Sequence, residues 1–447
     1  MRFISTMSVG LLASVGLCRV APRKFVERPI VAHYMVGGVQ EKDVIQDIKD
    51  AKSIGLDGFA LNYDQFEWWS NDTVNFMFNH ADELGDFSLF FSFDHGKGIL
   101  KDPLDYATYF TTYSGRSSYL KMKDRNGNAR KPVLSTFGGE KIGNDRWNEF
   151  KKTVGDVLII PGFSEVYNPT TNFFQGRSAI DGVFNWNSWP TVEEGRVTVS
   201  AAVDRTFQTA ARNANKYFMM GISPLQFKHT SYGNWYRRGE DNLENRIGQI
   251  LNVQPDMVQL QTWNDGGESH YMGRLHPEPL DDRTKALTDG YDHTGYWQIL
   301  PSFINAWKRG DTSTANMYPT NGKPVQGTFW HHTLTIGGSC YADEIAKTNT
   351  ITTGGEDAVS GVLLVAQNKQ GLKAEVKVGN ARLGNVISLS PGFNKFKLTG
   401  LENLVPGKVQ VEVWDGSTMV GGGYGSIEVT RQKALCNYNF QVVGLPS

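Results

Sequence analysis

From Arg28 to about Gly310, short apolar runs alternate with amphipathic or polar stretches of helical length. That alternation is left by parallel strands joined through helices. Eight runs read as strands: Ile30–Val36, Gly58–Asn62, Ser88–Asp94, Pro132–Thr136, Val157–Pro161, Ala179–Phe184, Tyr217–Ile222 and Met257–Thr262. Helical periodicity marks Lys42–Ile54, Val74–Leu84, Asp145–Val154, Val203–Asn215 and Asn242–Leu251, and Tyr296–Lys308 follows the last strand. Eight such units in about 280 residues match a closed (β/α)8 TIM-like barrel. An open doubly wound sheet has the same periodicity, because alternation does not report closure.

After Gly310 the texture changes. Gly, Thr, Asn and Pro dominate to about Gln326, and strand-like runs follow at Gly361–Ala366, Ala374–Val378, Val386–Leu389, Lys395–Leu398, Val409–Trp414 and Ser426–Thr430. Gly, Pro and Asn separate them, as in an antiparallel β-sandwich. The expected organisation is a leader over 1–21, a barrel over 28–310 and a β-sandwich over 325–447. The leader is inferred from Arg2, an apolar run over Met7–Leu17 and small or polar residues near Cys18–Ala21, the pattern of a secretory signal. The run is too short to span a bilayer, and no later stretch approaches 18 uncharged apolar residues. A secreted or cell-wall protein is therefore expected. If Cys18 departs with the leader, Cys340 and Cys436 remain as an even pair in an oxidising compartment, and a disulfide between them is predicted.

Charge narrows the ligand. Lysine plus arginine number 45 and aspartate plus glutamate 46, so no net field favours nucleic acid or an anionic membrane. A neutral ligand fits better. Aromatic residues make up 12% of the chain, with 11 Trp and 17 Tyr, many of them in polar segments where a ring can serve as a platform for a sugar face. Trp68, Trp69, Trp186, Trp189, Trp235 and Tyr271 are candidates, with core packing the competing explanation for each.

In a barrel of this kind, reacting groups stand at the carboxyl ends of the strands. The sequence is polar at nearly every one: His33, Asn62, Asp94-His95, Ser135-Thr136 with Glu140, Asn185-Trp186-Asn187, Ser223, and Trp263-Asn264-Asp265-Gly266-Gly267-Glu268-Ser269-His270. Asp94 closes an apolar strand, where a carboxylate needs a partner or an open mouth; a helix N-cap would also satisfy it. Asp265 and Glu268 lie three apart in a Gly-containing loop that could aim both carboxyls into one cleft. A solvated turn would read the same way. Glycoside hydrolysis needs one carboxyl that donates a proton to the leaving oxygen and another that activates water or attacks the sugar. No HExxH, CxxC or GxSxG pattern is present, and Gly421-Gly422-Gly423 lacks a following helix or P-loop lysine. Neither a metal nor an organic cofactor is expected.

Several segments resemble the fungal α-1,3-glucanases, or mutanases, of glycoside hydrolase family 71. They are Val31–Gly37, Gly58–Asn62, Phe91–Asp94, Ser135–Phe137, Asp181–Trp186, Asn234–Arg237, Trp263–Asp265 with Glu268–His270, and Asp292–Thr294. The resemblance covers about residues 28–310. It implies endo-hydrolysis of α-1,3-glucan with inversion and without a cofactor, Glu268 as general acid, and Asp265 or Asp94 acting on the water. His33, Asn62, Trp186, Trp235, Trp263, Asn264, His270 and Tyr271 are the expected sugar contacts. The expected partner is an α-glucan polysaccharide of a fungal or spore wall, met by a monomer. One departure bears on this: family members usually carry Tyr where this chain has Gly266, and loss of the ring is expected to open the cleft. That leaves two alternatives, a wall-binding protein with a weakened rate and a hydrolase of another α-glucan linkage.

Overall fold

The computed structural model describes residues 27–96, 98–127 and 129–445; the leader over 1–21, with Cys18, lies outside the described residues. Eight parallel strands form the first sheet: β1 (Ile30–Met35), β2 (Gly58–Tyr63), β3 (Ser88–Asp94), β4 (Arg130–Phe137), β5 (Leu158–Phe163), β6 (Gly182–Asn185), β7 (Tyr217–Ile222) and β8 (Met257–Leu260). Each pairs with its sequence neighbour, and β1 pairs with β8, so the sheet closes into a barrel. β3 and β7 keep the predicted limits because both faces of each are buried throughout.

Helices α1 (Glu41–Ser53), α2 (Trp68–Leu84), α3 (Ala107–Ser114), α4 (Asn144–Val154), α5 (Ala202–Asn213), α6 (Leu243–Val253), α7 (Asp282–Thr288) and α8 (Leu300–Arg309) surround the barrel. α2 begins at Trp68, earlier than periodicity predicts, because Glu67 and Ser70 form a reciprocal capping box at its start. α1 carries Asp47 on its buried stripe, where the carboxylate accepts from Tyr34 Oη at 2.8 Å and Trp263 Nε1 at 3.0 Å. This buried acid ties the helix layer to both sides of the β1–β8 seam.

The C-terminal region contains two packed sheets, as predicted. One has the order β13 (Gly392–Thr399), β11 (Ala358–Val365), β9 (Val325–His332), β16 (Phe440–Leu445), all antiparallel. The other is built on β10 (Leu334–Cys340), β15 (Thr418–Lys433), β14 (Gly407–Asp415) and β12 (Lys373–Val378), with β10 parallel to β15. In β14 the alternation is plain: Val409, Val411 and Val413 enter the core between the sheets, while Lys408, Gln410 and Glu412 turn outward.

β9 and β11 are buried on both faces. Val325 and Phe329 of β9, with Val359, Leu363 and Val365 of β11, face the sandwich core. Trp330, Val362 and Leu364 join the hydrophobic cluster of the barrel. On the barrel side Gln326 bonds Gln298 at 3.2 Å, Trp330 Nε1 donates to Gly239 O at 3.1 Å, and His332 Nε2 meets Glu240 Oε1 at 3.1 Å. These polar residues hide β9 from a sequence reading based on apolar runs. Cys340 and Cys436 form the predicted disulfide, with a Cα–Cα distance of 5.2 Å. Among the described residues, no helix is long and apolar enough to cross a membrane.

Candidate active site

The carboxyl ends of the strands converge on one mouth, and the loop after β8 supplies most of its polar groups. This loop folds into a single 3-10 turn, Gly266–Glu268. Asp265 caps it, accepting from Glu268 N at 3.2 Å, while Asp265 N donates to Thr262 Oγ1 at 2.9 Å. Ser269 then takes a left-handed conformation, φ 49°, which reverses the chain so that His270 pairs back with Asp265. The result is tight: Asp265, Glu268 and His270 bring one ligating atom each within 4.8 Å of one another. On geometry alone that set could hold a cation. The ammonium of Lys228, 3.2 Å from Glu268 Oε1, brings positive charge into the same space, and Ser223 Oγ already meets His270 Nε2.

Asp94 ends β3 at the same mouth. Its Oδ1 accepts from Gly96 N at 2.7 Å, and Asn62 Nδ2 approaches Oδ2 at 3.5 Å. Asn62 is aligned with Met35, whose N–H donates to Asn264 Oδ1 at 2.8 Å. Asp94 and the Asp265–Glu268 turn are thus linked through β2 and β1.

Below them lies a polar layer. His33 points inward from β1, accepts from Gln259 Nε2 at 3.0 Å, and meets the Trp186 ring edge-on at 5.0 Å. Burial drives its imidazole down to about 3. His270 is also fully buried, and burial, aided by the nearby Arg237 guanidinium, holds its imidazole well below the ordinary value. Both rings are neutral near pH 7, suited to hydrogen bonding and not to charge pairing.

A hairpin after β7, Gln226–Thr230 with Gly233–Arg237, forms one wall. Gln226 Nε2 donates to Glu268 Oε2. Lys228 lies over the rings of Trp235 and Tyr232, 4.9 and 5.1 Å from their centroids. Trp189 packs against His270 at 4.9 Å and under Arg237 at 5.1 Å. Trp189 and Arg237 also line a hollow of about 630 Å3 with Tyr167, Asn187 and Glu193. A roomier hollow of about 730 Å3 lies behind the loop, against Tyr271, Leu275 and Leu280; Asp94, Asp265 and Glu268 line neither hollow, and the former reaches the loop through the Trp189–His270 contact.

Several expected sugar contacts are placed differently. Trp263 is fully buried, donates to Asp47 and stacks on Trp297 at 5.8 Å. Tyr271 is buried, donates to Tyr291 O at 2.5 Å and stacks on His293 at 3.9 Å. Neither ring presents a face to the mouth. Asn264 spends its amide on both backbone groups of Met35. Glu140 is similarly committed, to the backbone of Ser164 and Glu165. At Gly266 an added Cβ would meet Leu275, Thr284 and Leu280 at 3.2 to 3.4 Å, underneath the loop. Gln226 and Lys228 were not singled out from the sequence, although Gln226–Thr230 and Gly233–Arg237, separated by Ser231-Tyr232, carry the alternation of a short hairpin.

A closed barrel with carboxylates from separate strand ends and aromatic rings around its carboxyl-terminal mouth fits a glycoside hydrolase. Comparison with known proteins agrees and is more specific. The chain belongs to glycosyl hydrolase family 71, whose profile matches residues 26–447. It is 27% identical to the glucan endo-1,3-alpha-glucosidase agn1 of Schizosaccharomyces pombe, over 92% of this chain and 93% of that one. It is 25% identical to the ascus wall endo-1,3-alpha-glucanase of the same yeast, over 92% and 96%. A mutanase of Penicillium rubens is 25% identical, over 93% and 88%.

Proposed function

We propose that this protein is an exported endo-hydrolase of α-1,3-glucan in fungal or spore walls, acting with inversion at the anomeric carbon. The carboxylate cluster of Asp265 and Glu268, with Asp94 at the same mouth, carries the reaction. The two Schizosaccharomyces pombe relatives, a glucan endo-1,3-alpha-glucosidase and an endo-1,3-alpha-glucanase, support the linkage. Glu268 donates a proton to the glycosidic oxygen as the C1–O bond breaks. Asp265 or Asp94 takes a proton from the water that attacks C1, so each product leaves with a complete hydroxyl. Trp235, half-buried on the hairpin, offers ring surface, while the buried, neutral His33 and His270 and the buried Trp186 support the mouth from beneath. A neutral polysaccharide suits a chain whose charges balance.

Release of reducing ends from insoluble α-1,3-glucan by the wild type, and its loss in Glu268→Gln, tests the reaction. Binding without release would instead make this a wall-binding protein, and preferred cleavage of another linkage in an oligosaccharide panel would reject the substrate. Inverting pairs stand roughly 6.5–9.5 Å apart and retaining pairs roughly 5–5.5 Å. The nearest ligating atoms of Asp265 and Glu268 are within 4.8 Å, so the first anomer formed, read by proton NMR, is the sharpest test of stereochemistry. β-Configured ends support inversion. α-Configured ends would overturn it and make Asp265 a nucleophile.

A further inference from the structure

The hairpin after β7 has two faces with different tasks. Side chains alternate along a strand, so Gln226 and Lys228 point one way while Phe227 and His229 point the other. The first two hold Glu268. The second two meet the C-terminal domain: Phe227 packs edge-on against Tyr438 at 5.9 Å, and His229 Nε2 lies 2.8 Å from Asp343 Oδ2. The returning strand is fastened to the same segment. Asn234 Nδ2 donates to Ala346 O at 2.8 Å, Thr348 Oγ1 to Asn234 O at 3.1 Å, and Tyr236 N to Thr350 Oγ1 at 2.6 Å.

Asp343 is the hub of this attachment. Its buried carboxylate also accepts from Arg283 Nη2 at 3.0 and 3.2 Å, Ile345 N at 3.1 Å and Cys436 N at 2.7 Å. Arg283 Nε donates in turn to His229 O at 3.0 Å. Cys436 is joined to Cys340, which precedes Asp343 by three positions in the sequence. The disulfide therefore clamps the two chain segments that meet at Asp343. Of the three potential ligands His229, Asp343 and Cys436 that lie together here, the sulfur is already spent on that bond, so the cluster is a joint and not a metal site.

We propose that Asp343, locked by the Cys340–Cys436 crosslink, is a positioning residue for Glu268, acting through His229 and the hairpin. The inference rests on the catalytic role given to Glu268 above. A two-stranded hairpin is marginal in water by itself, so its outer face must be held if its inner face is to place Gln226 and Lys228. A shift of about 1 Å in a group that orders the reacting carboxyl can cost about 100-fold in rate. The second domain then completes the active site from behind.

The test uses the full chain and the substrate that the wild type cleaves. Asp343→Asn is expected to lower kcat about 10- to 100-fold with KM within about twofold. Lys228→Met is expected to lower kcat as well, and the double variant to lose little more than the worse single, because both changes disturb one path. Gln326→Ala, which removes a domain contact that does not touch the hairpin, should leave kcat within about twofold. If Asp343→Asn does not fold, Arg283→Met loosens the same joint more gently and should act in the same direction. Unchanged kcat in these joint variants, or losses that simply multiply with that of Lys228→Met, would overturn the inference while leaving the glucanase reading intact. A folded wild type that hydrolyses no glucan would overturn both.

Discussion

Glu240 is completely buried where the loop after the hairpin meets β9 and β11, and it makes the interface sensitive to acid. Burial alone would raise its carboxyl, but hydrogen bonding and charge from His332, then Arg238 and Tyr236, outweigh it and bring the value down to about 2 from 4.5. The donors are His332 Nε2 at 3.1 Å, Tyr236 Oη at 2.7 Å, Gly239 N at 3.1 Å and Glu356 N at 2.7 Å. Because the folded value is depressed, the stabilisation is fully present above about 4.5 and fades as pH falls through about 2. At about 1.4 kcal/mol per pH unit, the depression corresponds to about 3 kcal/mol. Breaking a buried ion pair by removing one partner typically costs about 3–5 kcal/mol, which is the same order. Urea unfolding of wild type and Glu240→Gln at several pH values between about 6 and 2.5 measures this. The variant should be less stable by about 3 kcal/mol near neutrality, with the gap narrowing steadily under acid. A gap that stays constant across the range would refute the assignment of the stabilisation to this carboxylate.

Other perturbations separate chemistry from architecture. Glu268→Gln and one of Asp94→Asn or Asp265→Asn should lower kcat by about 10²–10⁴ while retaining binding to insoluble glucan; turnover at the wild-type rate in the Glu268 variant, or in both Asp variants, would overturn the assignment. Asp204 and Arg246 form a fully buried pair at 2.6 Å, with Asn185 Nδ2 also donating to Asp204 at 2.8 Å. Asp204→Asn should therefore destabilise by about 3–5 kcal/mol in urea unfolding, and a loss below about 1 kcal/mol would contradict that accounting. Replacing both Cys340 and Cys436 by Ser opens a crosslink between residues 96 apart; a cost of about 2–5 kcal/mol is expected, and an unchanged urea midpoint would argue against it.

The barrel was legible because its strands are short and apolar and its helices periodic. Polar strands were not. In β9 the buried Gln326, Thr328 and His332 read as solvated positions, since their partners Gln298, Val443 and Glu240 come from distant parts of the chain. The same effect operates at the mouth. Asp94, Asp265 and Glu268 could be picked out from their places at strand ends, whereas Gln226 and Lys228 look like the wet face of a hairpin until Glu268 is seen across from them. Trp263 and Tyr271 misled in the opposite sense. A tryptophan beside catalytic-type acids suggests a stacking platform, yet its ring crosses the barrel wall to reach Asp47, and neighbours in sequence need not share a side of the wall.

The doubly buried β9 and β11 also bear on how such a chain can change over generations. Odd positions in these strands answer to one partner and even positions to another, so the C-terminal region cannot be traded for an unrelated carbohydrate-binding cassette without leaving the Arg238–Glu240 loop uncovered. Substitutions at Trp330, His332 and Val362 should be matched by substitutions in the barrel, and the two regions should be inherited as a pair.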